Sequence, residues 1–237
     1  MRLRVILSLT LLVLGLSPTW VHGQQYNFKT YTAKNGLGSS IVNCIFQDSR
    51  GDLWFGTQSG GVSRFNGTSF KSYTKSNGLV GNDVTCVTED REGNIWIGTS
   101  DGASKFDGRD FTNYNDSTGL PVKMGIYSIY VDAENIIWIG SRGGGLVKFD
   151  GETFQSFGQD DGLPSDNVYS ITQTQDKKMW MACSRGIASY DGSQFKTYKE
   201  SEGKTYFCVL RASDQRVWFG GTPGNGVLQY QNGKLSK

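Results

Sequence analysis

Short apolar runs recur along the chain, each closed by a glycine-containing turn, and each has the length of a strand rather than a helix. The runs beginning Val42-Asn43-Cys44-Ile45-Phe46 and Val84-Thr85-Cys86-Val87 are rich in β-branched and aromatic residues. They end in Asp48-Ser49-Arg50-Gly51 and Asp90-Arg91-Glu92-Gly93. This Asp-x-x-Gly pattern predicts a tight hairpin, in which the carboxylate accepts backbone N–H groups and glycine takes a positive φ. In the third copy Asn135 replaces the glycine, and asparagine tolerates that conformation best after glycine. The next run carries a tryptophan between large apolar neighbours, as in Leu53-Trp54-Phe55, and predicts a strand buried on both faces. A third run leads to an aromatic–polar–Gly turn such as Phe65-Asn66-Gly67 or Phe106-Asp107-Gly108. A fourth alternates apolar and polar residues, as in Ser69-Phe70-Lys71-Ser72-Tyr73, as a half-exposed outer strand does.

This four-run unit repeats. Trp54, Trp96, Trp138 and Trp180 stand 42 residues apart, and Trp218 follows after 38. A Gly-Leu pair precedes four of the copies, at Gly36-Leu37, Gly78-Leu79, Gly119-Leu120 and Gly162-Leu163. Four antiparallel strands per repeat of about 40 residues predict an all-β fold, a β-propeller of four-stranded blades with five repeats present. Gly56, Gly98 and Gly140, two residues after their tryptophans, are expected to leave room for the adjoining blade. The segment Asn27-Phe28-Lys29-Thr30-Tyr31-Thr32 matches the fourth strand of a blade. Either it completes the fifth blade, or the sequence is the front part of a longer protein with a larger ring.

Composition sharpens this picture. Glycine is abundant (32 residues, against four prolines) and aromatics reach 13%, as many short strands and tight turns require. The net charge of +2 has no basic stripe, which speaks against a nucleic-acid partner. Residues 1–23 read as a signal peptide, with Arg2 and Arg4 ahead of the apolar stretch Val5 to Leu16, and cleavage is expected after Gly23. That core is too short to span a bilayer, which takes roughly 20 residues. The mature chain, 24–237, is expected to be periplasmic or secreted, with no transmembrane segment. Export would also remove His22, the only histidine.

The pattern from Asn77-Gly78-Leu79 through Asp90, Gly93, Trp96, Gly98 and Thr99 to Phe106-Asp107-Gly108 resembles the two-component regulator propeller repeat. The resemblance extends from about Phe28 to the end of the chain. It implies a propeller of seven blades, often paired with a second, acting as the periplasmic sensor of a hybrid histidine kinase. It also implies carbohydrate breakdown products as ligands and a downstream membrane kinase as partner. No kinase sequence occurs within these 237 residues.

Blade geometry puts the Gly-Leu loops and the loops after each tryptophan on one face of the ring. There the copies share their glycines but differ at the fourth and fifth positions after the tryptophan, as scaffolded ligand loops do. These positions include Gln58, Asp101, Arg142 and Arg185. The two arginines are suited to fork onto a carboxylate or sulfate of an acidic sugar. Tyr127, Tyr169 and Tyr206 are read as equivalent positions early in the first strands, from which they could stack on sugar rings. No catalytic residue, metal ligand or cofactor is expected, because the acidic turns lack EF-hand spacing and no histidine or paired CxxC is available. Cys44, Cys86 and Cys208 share a slot with Ser128 and Ser170, which reads as small and buried, and no disulfide is expected among the four cysteines, Cys183 included. The sequence therefore points to a ligand-sensing propeller. The alternatives are an exported protein-binding scaffold and a propeller lyase; the last would need a histidine base.

Overall fold

The computed structural model describes residues 28–122 and 125–236, and every regular element lies in the unit Tyr31–Lys237. It contains five four-stranded antiparallel sheets, one per repeat, each with its strands in chain order from inside to outside. The first is β1 (Val42–Gln47), β2 (Leu53–Thr57), β3 (Val62–Phe65) and β4 (Phe70–Tyr73). The second is β5 (Val84–Glu89), β6 (Ile95–Thr99), β7 (Gly102–Phe106) and β8 (Phe111–Tyr114). The third is β9 (Ile126–Val131), β10 (Ile137–Ser141), β11 (Leu146–Phe149) and β12 (Phe154–Phe157). The fourth is β13 (Val168–Gln173), β14 (Met179–Cys183), β15 (Gly186–Tyr190) and β16 (Phe195–Thr197). The fifth is β17 (Tyr206–Arg211), β18 (Val217–Gly221), β19 (Val227–Gln231) and β20 (Lys234–Ser236). The inner strands β1, β5, β9, β13 and β17 lie side by side in that order, so the sheets are the blades of a propeller.

The tryptophans join the blades. Trp96 stacks on Tyr114 of its own blade (5.3 Å between centroids) and meets Phe149 of the next blade edge-on at 6.0 Å. Trp54 does the same with Tyr73 and Phe106, and Trp138 packs against Phe157 and Tyr190. Glycine two residues later is a requirement of space. A Cβ on Gly98 would stand 2.8 Å from Ile126 Cγ2 in the adjoining blade, and one on Gly56 would stand 2.6 Å from Val84 Cγ1.

Burial departs from expectation at the two end blades. Leu53 and Phe55 are half-buried where Ile95 and Ile97 are fully buried, and Trp218 is half-buried where Trp180 is covered. The cause is a missing neighbour, since among the described residues no further blade covers that face of the first or the fifth sheet. Ile45 of β1 is 64% exposed, whereas Ile171 at the same place in β13 is 7% exposed.

The N-terminal segment also differs from expectation. Among its described residues, 28–32 form no strand, and the fifth blade is completed by its own β20; Asn27 lies outside the described residues. A fourth-type strand needs the third strand of its own blade to pair with, and none is free for it among the described residues. Tyr31 nevertheless packs against Phe65 (5.2 Å) and Phe70 (5.4 Å), as Tyr73 packs against Phe106 and Phe111 one blade later. The signal-peptide residues 1–23, including His22, lie outside the described residues.

Candidate ligand site on the loop face

Each Gly-Leu loop begins as a short 3-10 turn that ends on a glycine in the left-handed region, with φ +100° at Gly36, +99° at Gly78 and +106° at Gly162. The reversal drives the next residue inward, and Leu37, Leu79, Leu120 and Leu163 are all buried, the last three in the cores between adjoining blades. Side chains of these loops then clamp the loops that follow the tryptophans. Asp83 Oδ1 accepts the Ser59 N–H at 2.7 Å, and Asn167 Oδ1 accepts the Gly143 N–H at 3.0 Å. The variable tips thus stand on hydrogen-bonded supports.

The structure does not gather the predicted residues into one place. Tyr127 and Tyr169 do meet, with centroids 4.8 Å apart. Both occupy the bulged position of an inner strand, where β9 and β13 slip register against β10 and β14. A bulge re-aims its side chain and is a common device at functional rims. Tyr206 is not their equivalent. It pairs with Gly221, as Val168 pairs with Cys183, and it is fully buried. The bulged residue of the fifth blade is Phe207, 52% exposed and 5.0 Å from the Tyr169 ring. Tyr206 stands twelve residues before its tryptophan and Phe207 eleven, as Tyr127 and Tyr169 do, and the slot one further on (Cys44, Cys86, Ser128, Ser170, Cys208) gives the same register.

Three successive bulges therefore carry an aromatic row, Tyr127–Tyr169–Phe207. In the first two blades the same position carries a polar residue that bridges blades. Asn43 donates to the Val84 carbonyl at 2.9 Å, and Thr85 donates to the Ile126 carbonyl at 2.7 Å. Burial raises the Tyr169 phenol above its ordinary value, Tyr127 adds to that, and the Arg142 charge pulls the other way. Arg142 thus acts on the aromatic row electrostatically. Its guanidinium has no carboxylate partner among the described residues, so a planar or sugar ring with an anionic group would find both a stacking surface and a fork there.

Asp101 is already occupied, with Lys75 Nζ 3.0 Å from its carboxylate. Gln58 is exposed at the first-blade tip, and only its backbone is tied, to the Ile41 carbonyl at 3.0 Å. Arg185 lines a separate cavity over the fourth blade, between the connections that precede and follow it, and no residue of the aromatic row lines it. Among the described residues, no group of three or more His, Cys, Asp or Glu side chains could hold a metal ion. All four cysteines are free.

Comparison with known proteins rests on this geometry. Residues 36–59, 78–101, 119–143 and 162–185 match the Two component regulator propeller family. These four stretches are two-component regulator propeller repeats. Each matched stretch runs from the Gly-Leu loop, across the inner strand and the tryptophan, to the variable tip. These propeller repeats are similar in structure to two extracellular domains from B. thetaiotaomicron. One, assigned to a hybrid two-component system, is 24% identical with a TM-score of 0.62, over 81% of this chain and 33% of that one. The other, assigned to a one-component system, is 20% identical with a TM-score of 0.73, over 87% and 32%. A virginiamycin B lyase from Staphylococcus aureus, solved with quinupristin, is 18% identical with a TM-score of 0.69, over 82% and 68%. At these identities the likeness is one of fold. The chain spans about a third of the length of the two extracellular domains. Among curated proteins no sequence relative matches. No helix among the described residues is long and apolar enough to cross a membrane.

Proposed function

We propose that this propeller is an exported ligand-sensing module of a two-component system that recognises a carbohydrate fragment on its loop face. Export rests on the signal sequence at residues 1–23. The observation that carries the ligand reading is the aromatic row. Tyr127, Tyr169 and Phe207 sit at three successive bulges, where the first two blades spend the same position on inter-blade hydrogen bonds. The fold itself does not need aromatics there, because Asn43 and Thr85 serve in blades of the same design.

In this reading a sugar ring lies against Tyr169, and Arg142 takes an anionic substituent. Binding is passed on to a membrane kinase through the rest of the ring. A sensing role is supported by the repeat family and by the extracellular signalling domains that share the fold. The lyase comparison favours binding over catalysis. The S. aureus enzyme was made inactive by a histidine-to-alanine exchange, and the only histidine of this chain is His22, within the signal sequence.

The test is a thermal-shift screen of the full chain against neutral and acidic oligosaccharides, with titration calorimetry on any stabilising compound. Tyr169→Ala is expected to weaken a true ligand at least tenfold, which corresponds to about 1.4 kcal/mol. Asn43→Ala, at the same position in the first blade, should leave affinity unchanged. The reading is overturned if every stabilising oligosaccharide binds Tyr169→Ala as tightly as it binds the wild type.

A further inference from the structure

The junction between the fourth and fifth blades is built differently from the other three. The connection there, Tyr198 to Thr205, has no Gly-Leu pair, and its shortness accounts for most of the drop in tryptophan spacing from 42 to 38. At the preceding junction Leu163 and Val168 fill the interior together. Here the single larger Tyr206 takes the deep part, against Ile187 and Tyr198. No counterpart of Leu163 is present in this connection, and a cavity of about 610 Å³ opens over the fourth blade, between the connections that precede and follow it. Pro164, Ile187 and Tyr198 form its apolar wall, and Arg185, Lys199 and Glu202 bring charge to it. Ser201 fixes the floor, donating to the Tyr198 carbonyl at 2.7 Å and accepting the Ile187 N–H at 3.0 Å.

The charge at this site is also left open, as it is at Arg142 one blade earlier. Two devices settle the loop tips elsewhere. At the second blade Asp101 pairs with Lys75 of the adjoining loop. At the first and third blades Asp83 and Asn167 reach back to the tip of the preceding blade. Arg185 occupies the position of Asp101, but the place of Lys75 is taken by Gln159, whose amide goes to Asp166 at 3.3 Å. The place of Asp83 and Asn167 is taken by Thr205, whose hydroxyl goes to the Ser184 carbonyl at 2.7 Å. Neither device reaches Arg185, and no carboxylate pairs with its guanidinium among the described residues.

The geometry points to this cavity as a binding site for a small hydroxylated carboxylate, with Arg185 as the residue that takes the carboxylate. The volume falls in the range of small-molecule sites, roughly 300–1,000 Å³. A guanidinium presents a planar fork matched to a carboxylate, and Lys199 adds a second cation at the same mouth. Glu202, the Thr197 hydroxyl and the backbone around Gly203 offer hydrogen-bond partners for hydroxyl groups, which a plain fatty acid would leave unused. The site is distinct from the aromatic row and stands whether or not the row binds a sugar.

The experiment is calorimetric titration of the full chain with D-glucuronate, D-glucose and acetate. Glucuronate is expected to bind saturably, at least tenfold tighter than either of the others, and more weakly as salt rises. Arg185→Gln should reduce glucuronate affinity at least tenfold. Gln159→Glu, which supplies an internal carboxylate beside Arg185, should reduce it in the same direction while keeping the arginine. Tyr169→Ala should leave glucuronate binding intact, which separates this site from the aromatic row. The proposal is overturned if wild-type protein does not bind glucuronate, or if Arg185→Gln, shown to be folded by its unchanged melting transition, binds it as well as the wild type. Loss of binding in Tyr169→Ala with retention in Arg185→Gln would overturn it too, and would assign the ligand to the row instead.

Discussion

The buried carboxylate of Asp90 accepts the indole N–H of Trp96 at 2.9 Å while its other oxygen closes the hairpin, taking the N–H groups of Glu92 (3.0 Å) and Asn94 (2.9 Å). One side chain thus ties the turn to the tryptophan that joins two blades. The arrangement recurs with Asp48 and Trp54 at 2.9 Å, and with Asp132 and Trp138 at 2.8 Å. At Asp48 burial alone would push the carboxyl up. The bonds from Trp54, Asp52 and Arg50, with the Arg50 charge, outweigh it and hold the group below the usual carboxylate range. In the fourth blade Thr174 makes the bond to Trp180 at a longer 3.3 Å, and in the fifth Ala212 cannot make it.

Asp90→Ala is accordingly expected to be costly. It leaves a buried indole N–H and two turn amides without an acceptor, and each orphaned buried donor costs about 1–3 kcal/mol. A loss of about 2–4 kcal/mol is expected, because the turn amides can reach water while the indole cannot. Asp90→Thr, copying the fourth blade, should recover part of it. Urea unfolding followed by tryptophan fluorescence checks both, and an Asp90→Ala midpoint equal to wild type would refute the account.

The Asp–Trp bond was present in the chain as a spacing of six residues, at Asp48 and Trp54, Asp90 and Trp96, Asp132 and Trp138. Reading the aspartate as a turn former hid it, since turn formation accounts for the residue without a second role. The blades, their strand order and their turns were legible because tryptophan, glycine and Asp-x-x-Gly recur in fixed register. Two kinds of feature were not. A bulge shifts side-chain direction, and aromatic character alone points to Tyr206, whereas the fixed distance to the tryptophan puts Phe207 at the place of Tyr127 and Tyr169. The burial of Leu53, Phe55 and Trp218 depends on neighbours that strand patterns do not count. Of the predicted site residues, Tyr127 and Tyr169 come together, whereas Asp101 is tied to Lys75. The cavity at Arg185 did have a trace in the sequence, namely the fifth copy's missing Gly-Leu pair.

Two glycines separate the effect of space from that of backbone conformation. Gly98 is confined, with Cys86 Sγ 2.5 Å and Ile126 Cγ2 2.8 Å from an added Cβ. Gly67 has open space around it but a φ of +92°. Gly98→Ala forces two blades apart and is expected to cost about 1–3 kcal/mol, the usual range for overpacking. Gly67→Ala strains only a turn, at about 1 kcal/mol. Asparagine distinguishes them: Gly67→Asn should recover most of the loss, because asparagine tolerates positive φ, while Gly98→Asn should be worse than Gly98→Ala. Thermal unfolding of the four variants gives the comparison, and a stabilised Gly98→Asn would contradict it.

Acid sensitivity follows from the hairpin aspartates. Backbone N–H groups of Thr153 and Glu152, with the Thr153 hydroxyl, lower the Asp150 carboxyl to about 2. Those of Gln194 and Ser193, with the Ser193 hydroxyl, lower Asp191 to about 2. Both values lie below the unfolded reference of about 3.9. Lowered groups bind fewer protons folded than unfolded, so their contribution is fully present above about pH 4 and is lost as pH falls towards 2. The melting temperature should therefore hold between pH 7 and 5 and decline below 4. Asp150→Asn and Asp191→Asn should each make that decline shallower, and a decline of unchanged slope in the double variant would rule these groups out as its source.

The cysteines should differ sharply in reactivity although none is in a disulfide. Burial pushes the Cys86 and Cys183 thiols up to about 12, and Cys44 up to about 11 against an opposing bond from Gly56. Cys208 has the same slot as Cys44 and Cys86 but is exposed, since among the described residues no blade packs on that side of the fifth sheet. Thiolate is the reactive form, and at pH 8 a thiol of pKa 12 is ionised on the order of one part in 10,000. An aromatic disulfide reagent at pH 8 should therefore modify one thiol quickly in the native protein and the other three only after denaturant is added. Cys208→Ser should abolish the fast phase. Fast modification that survives this substitution would mean the inner strands of the first two blades open to solvent in the native state.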